Sequence, residues 1–219
     1  MDFSWQIFTE VFPYLLKGAL VTIQLTLVSL SLGIVLGLFV GLARVSTNPI
    51  IRNGAVVYIE VVRGTPLLMQ LIFIYYGLPS VGVNLDAYSA AILGLSLNSA
   101  AYVGEIFRAG IQSIGKGQHE AARATGLTYA QTMRHVVLPQ ALRVVLPPLT
   151  NEFVALLKDT SLVSTLAVAE LLRVGREMQA WKSNTFSPFA GVALVYLAMT
   201  IPMTKLARHF EKRLGTGRH

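Results

Sequence analysis

The chain has 219 residues, 53% apolar and only 13% charged, against roughly a quarter charged in an ordinary soluble domain, a balance that points to a membrane protein. It has no cysteine, which excludes disulfide scaffolds, thiol catalysis and cysteine-held metal centres. The excess of 18 basic over 11 acidic residues gives a net charge of +7, with no aromatic pattern or motif beside it to indicate nucleic acid.

Charge-free runs locate the membrane crossings, because a helix rising about 1.5 Å per residue needs about 20 residues to cover roughly 30 Å of hydrocarbon. The first run, between Lys17 and Arg44, has 26 residues and predicts a span over 18–43. It is longer than the apolar part of a signal peptide, and no small-residue cleavage site follows it, so it is expected to stay in the mature protein. Within it Gly33, Gly37 and Gly41 recur every fourth residue, a packing face within the subunit or between subunits. A second span, 56–78, ends before Pro79, Gly82 and Asn84. The third, 87–107, carries Asn98 and Glu105 seven residues apart, on one helix face.

Beyond it, Gly110, Gly115 and Lys116 have the spacing of a phosphate-binding loop. Gly117 stands where Ser or Thr would hold magnesium, and a membrane helix replaces the strand that should precede it. The chain is therefore expected to hydrolyse no nucleotide, to have no catalytic residues and to bind no cofactor. Nor is a metal expected, since His119, His135, His209 and His219 show no ligand spacing. Residues 117–126 predict a short surface helix of good formers, stopped by Gly126 in a left-handed cap. Thr128 and Gln131 make a capping-box pair that opens a further helix, and Pro139 is expected to bend it.

The stretch 139–157 contains Pro147, Pro148 and Glu152 and reads as a broken span packed inside protein. Asn151 and Lys158 are seven apart, as are Glu152 and Asp159, so each pair shares a face. With Asn98 these four make a candidate polar path, since a central charge costs roughly 2.5 to 3.5 kcal/mol on insertion scales and invites a functional reading. Glu152 or Asp159 suits an ammonium, and Lys158 or a helix end near the two prolines suits a carboxylate. Alternatively, Lys158 and Asp159 neutralise each other at the outer interface. Glu60 with Arg63, and Glu105 with Arg108, have the i,i+3 spacing of interfacial ion pairs. Residues 161–178 predict an amphipathic helix. The last span is 186–206, followed by a basic tail of Lys205, Arg208, Lys212, Arg213 and Arg218 with affinity for anionic lipid.

Lys and Arg mark the cytoplasmic side. Segments 1–17, 44–63, 79–86, 108–143, 158–182 and 205–218 carry one, three, none, five, four and five. The pattern predicts five crossings with the N-terminus outside and the C-terminus cytoplasmic, and 158–182 is the segment that departs from it.

The surface loop carries a recognisable pattern: Glu120-Ala121-Ala122, then Gly126, Val136 and Leu138-Pro139. This resembles the EAA loop of the membrane-spanning subunits of bacterial ATP-binding-cassette importers, with Val136 where isoleucine is usual. Arg63-Gly64-Thr65-Pro66-Leu67-Leu68, Asn98-Ser99-Ala100-Ala101-Tyr102, Glu105-Ile106-Phe107-Arg108-Ala109-Gly110 and Leu157-Lys158-Asp159-Thr160-Ser161 are similar to the polar amino acid uptake branch. The likeness runs from about Gly18 to Leu214. It implies an all-α polytopic permease of the bacterial inner membrane, with five transmembrane helices and a cytoplasmic coupling helix contributing Gln118, His119, Glu120, Ala121, Ala122, Arg123 and Gly126. It also implies a second permease copy or paralogue, ATPase subunits holding ATP and magnesium, an extracytoplasmic solute-binding protein and an amino acid substrate. From the residues themselves an ion-coupled secondary carrier working without an ATPase remains the alternative.

Overall fold

A computed structural model describes residues 3–214; Arg218 and His219 of the sequence reading lie outside the described residues. Every regular element among the described residues is a helix or helical turn. Helix α1 (Trp5–Arg44) begins well before the charge-free run, with Ser4 accepting from the Ile7 amide at its N-cap. Helix α2 (Pro49–Gly64) opens on Asn48, whose side chain accepts from the Ile50 amide. The chain then breaks at Thr65-Pro66, where proline disfavours a helical residue before it, and turns by 102°. Helix α3 (Leu67–Ile72) continues as a π turn to Gly77 and a 3-10 turn to Val81.

Helix α4 (Ala87–Gln112) starts at Asp86, whose carboxylate accepts from the Tyr88 and Ser89 amides and the Ser89 hydroxyl. The Ser89 bonds, that of its hydroxyl first, hold this exposed carboxylate below the usual range. Helix α5 (Lys116–Ala124) is followed by α6 (Tyr129–Thr132), α7 (Leu138–Asp159), α8 (Leu171–Lys182) and α9 (Phe186–Leu214).

Three described helices, α1, α4 and α9, are long and apolar enough to cross a membrane, and α2 joined to 67–81 makes a bent fourth candidate. Helix α1 packs along α4; α7 lies between α4 and α9, and α8 against α1 and α9. The glycine repeat explains the closest of these contacts. A Cβ on Gly33 would lie 2.9 Å from the Ser99 Cβ, one on Gly37 2.6 Å from the Val103 Cβ, and one on Gly41 2.7 Å from the Phe107 Cβ. Without those atoms the two backbones come together and gain the dispersion contacts that hold helices in lipid, where the hydrophobic effect supplies no force. The core follows this seam, with Leu15 and Leu171 at one end, Leu25, Leu95 and Leu166 in the middle, and Phe107 and Ile111 at the other.

Three expectations are corrected. Helix α7 is continuous through Pro147 and Pro148, so 139–157 is not a broken segment. The helical path also runs on past Pro139. A π turn over Met133–Val137 precedes α7, and Pro139 falls in the first turn of α7, where a missing N–H costs least. The amphipathic helix starts at Leu171 instead of 161: residues Thr160–Leu166 form a 3-10 turn closed by Ala167 at φ 61°, and Glu170 then starts α8.

Candidate functional site

Two regions hold the residues singled out by sequence. The first is α5. Gly126 adopts φ +82°, the Leu127 amide donates to the Ala122 carbonyl at 3.2 Å, and the Gly126 amide to that of Arg123 at 3.0 Å. This pair of bonds is a Schellman closure, and it fixes the last turn. Thr128 and Gln131 form both capping-box bonds immediately afterwards. Ala122 is the one buried residue of α5, at 5% exposure. Gln118, Glu120, Ala121 and Arg123 are exposed, and His119 is half-buried. The Gln140 amide donates to the Gln118 side-chain oxygen at 3.3 Å. The result is a short, firmly ended helix that shows nearly all of its surface.

The second region lies between α4, α7 and the bend after α2. The Ser99 hydroxyl donates to Glu152 at 3.0 Å, and Asn98 donates to the Gln70 side-chain oxygen at 3.1 Å. Gln70 donates in turn to the Val62 carbonyl at 2.7 Å and the Thr65 hydroxyl at 2.9 Å. With a further bond to the Thr65 carbonyl at 3.1 Å, it satisfies backbone oxygens that the 102° turn frees. Asp159 is half-buried and Lys158 exposed, two turns from Glu152 and Asn151 along the same helix. Asn151 does not join the cluster; it reaches Glu211 of α9 at 3.4 Å.

Glu105 bridges two helices, accepting from Arg44 of α1 at 3.1 Å and from Arg108 at 2.9 Å. The Glu105–Arg108 pair therefore forms as its spacing predicts, with a third member the spacing does not show. The Glu60–Arg63 pair does not form among the described residues: Arg63 lies over the Tyr102 ring, 5.1 Å from its centroid.

Sequence reasoning missed Gln70, whose signal was an amide alone in the apolar run 67–78. It also missed Glu170, which is fully buried and accepts from the Leu172 amide at 2.8 Å, the Arg173 amide at 2.7 Å and the Tyr196 hydroxyl at 3.1 Å. Burial raises this carboxyl above the usual range, against the pull of those donors. No group of residues that could hold a metal occurs among the described residues.

Residues 33–216 match the family model described as the binding-protein-dependent transport system inner membrane component. The chain is 39% identical over 216 residues to the glutamine transport system permease protein GlnP of Escherichia coli K12, covering 98% of this chain and 99% of that one. It is 40% identical over 212 residues to the L-cystine transport system permease protein TcyB of Bacillus subtilis, covering 96% and 91%. Among solved structures, a chain of an amino acid ABC transporter crystallised with histidines superposes with a TM-score of 0.91 at 41% identity, covering 97% of this chain and 100% of that one. A chain of the MetNI methionine transporter shares the fold, with a TM-score of 0.79 at 22% identity over 92% of this chain and 96% of that one.

Proposed function

The chain belongs to the inner membrane components of binding-protein-dependent transport systems, and from that premise we propose how it works as the permease subunit of an ATP-driven amino acid importer. The ATPase is a separate subunit. The cargo is a polar amino acid, moved inward by alternating access, and the ion-coupled carrier is not favoured by any of the relatives above.

The observation that carries the mechanism is the exposed α5, held by Ala122 and its Schellman closure. The partner ATPases would hold ATP with magnesium, and their closure on it would supply the movement. Helix α5, with Gln118, His119, Glu120, Ala121, Ala122, Arg123 and Gly126, receives that movement. A helix that neither frays nor slides passes it on as a rigid-body displacement. Five crossings, by α1, α2 with α3, α4, α7 and α9, place α5 and the C-terminus in the cytoplasm and the N-terminus outside. A second permease copy or paralogue completes the gate, and an extracytoplasmic binding protein delivers the cargo.

Within the gate, Glu152 suits the ammonium of the cargo and Lys158 its carboxylate, while Asn98 and Asp159 extend the polar path; Asn151, bonded to Glu211, stands outside it. The Ser99 bond supports this reading, because it leaves Glu152 oriented and still able to accept from a passing ammonium. Gly33, Gly37 and Gly41 are the seam against which the gate helices keep their spacing.

Because the chain has no cysteine, single substitutions at 118–125 give unambiguous cross-linking sites. Glu120→Cys is expected to capture the ATPase subunit in the assembled transporter. If no position from 118 to 125 captures it, the coupling role of α5 is wrong.

A further inference from the structure

An open cleft of about 400 Å³ lies beside α5, away from the polar path. Arg44, Arg52, Lys116, His119 and Tyr129 line it, and no carboxylate does. Arg44 is shared with Glu105, but neither Arg52 nor Lys116 has an ion-pair partner among the described residues. Two uncompensated cations and a phenol therefore converge on one concave site, an arrangement that attracts a phosphate ester.

The cleft is also amphiphilic. Ile111, Ile114 and Met133 contribute an apolar wall, and Ile50 and Ile51, just before Arg52, are 82% and 51% exposed. Its depth is set by two membrane-spanning candidates that end in it: Arg44 is the last residue of α1, and Gln112 the last of α4. A site at the point where two spans leave the hydrocarbon lies in the headgroup layer. A soluble phosphate has no use for the apolar wall; a phospholipid uses both parts.

We propose that this cleft binds the phosphate of an anionic phospholipid headgroup, with the start of its acyl region against Ile111, Ile114 and Met133. The lipid links Lys116 of α5 to Arg52 of α2, so the exposed helix is braced against the bundle by the membrane itself. That the leaflet is the cytoplasmic one rests on the orientation proposed above; that the cleft meets a membrane surface rests only on where α1 and α4 end.

The test is titration of the full-length chain in detergent with phosphatidylglycerol, phosphatidylcholine and inorganic phosphate, read by native mass spectrometry. Phosphatidylglycerol is expected to bind more tightly than phosphatidylcholine. The double variant Arg52→Gln, Lys116→Gln is expected to weaken it about thirtyfold, since each cation near a membrane surface is worth roughly fivefold. Arg52→Lys, Lys116→Arg should restore binding, which separates lost charge from lost fold, and Arg134→Gln, Arg143→Gln, two exposed cations outside the cleft, should leave it intact. Unchanged binding in the Arg52, Lys116 Gln pair, equal loss in the Arg134, Arg143 pair, or no rescue by the charge-conserving pair at an unaltered melting temperature would overturn the site. Displacement of the lipid by inorganic phosphate at comparable concentration would overturn the lipid as its occupant. None of these readouts involves uptake, so failure here leaves the transport reading untouched, and failure of ATPase capture leaves this site untouched.

Discussion

Glu152 and Glu170 are both carboxylates held among helices, and their partners separate them. Glu170 has three donors, two of them amides of its own helix start, and Tyr196 completes the set. It caps α8 and ties it to α9, which is a structural task. Among the described residues Glu152 has a single hydroxyl donor, from Ser99. A carboxylate accepts several bonds, so capacity remains for a ligand. Replacing it by Gln keeps the shape and removes the charge. A hydrogen bond to a charged group is worth roughly 1.5 to 3 kcal/mol, so Glu152→Gln is expected to slow uptake in proteoliposomes by about tenfold to a hundredfold while ATP hydrolysis without substrate is kept. Unchanged uptake would remove Glu152 from the path.

At the scale of elements, glycine does two different jobs. Gly37 is small because Val103 stands where its Cβ would be, whereas Gly126 has nothing within 4 Å of a Cβ and is needed for its positive φ. Gly126→Val would force a β-branched residue into the left-handed region at a cost of roughly 1 to 2 kcal/mol, and α5 would lose its fixed end. The expected outcome is ATP-driven uptake reduced at least severalfold with normal amounts of protein in the membrane fraction. Loss of the protein from that fraction would mark Gly126 as a folding residue instead. The bend at Thr65-Pro66 has the same logic on a larger scale, since proline breaks the helix and Gln70 supplies donors to the carbonyls it leaves.

For the whole molecule, the cations of 158–182 are the difficulty in the charge pattern. Arg173 pairs with Glu177, and Lys182 pairs with Glu10 near the start of α1. The second pair brings the end of α8 to the same end of the bundle as the start of α1, so the two lie on one side of the membrane, which the proposed topology takes as the outside. An impermeant maleimide is expected to label Asn84→Cys and Ala180→Cys in intact cells, and Gln118→Cys only after permeabilisation. Protection of Ala180→Cys beside labelled Asn84→Cys would reverse the side assigned to α8 and reduce the number of crossings.

Local chemistry by itself determined a good deal: the apolar runs behind α1, α4 and α9, the cap at Thr128, the stop at Gly126, and the motifs shared with transport permeases. Each depends on residues within a few positions of one another, where helix geometry turns spacing directly into contact. Only the tertiary structure decided that Asn98 meets Gln70, that Ser99 meets Glu152 and that Arg44 joins Glu105, because these partners are 28, 53 and 61 residues apart. It also gave Arg63 to Tyr102 in place of Glu60 and carried α7 unbroken through its prolines. Periodicity records which face of a helix is buried; it holds no record of which distant side chain arrives there.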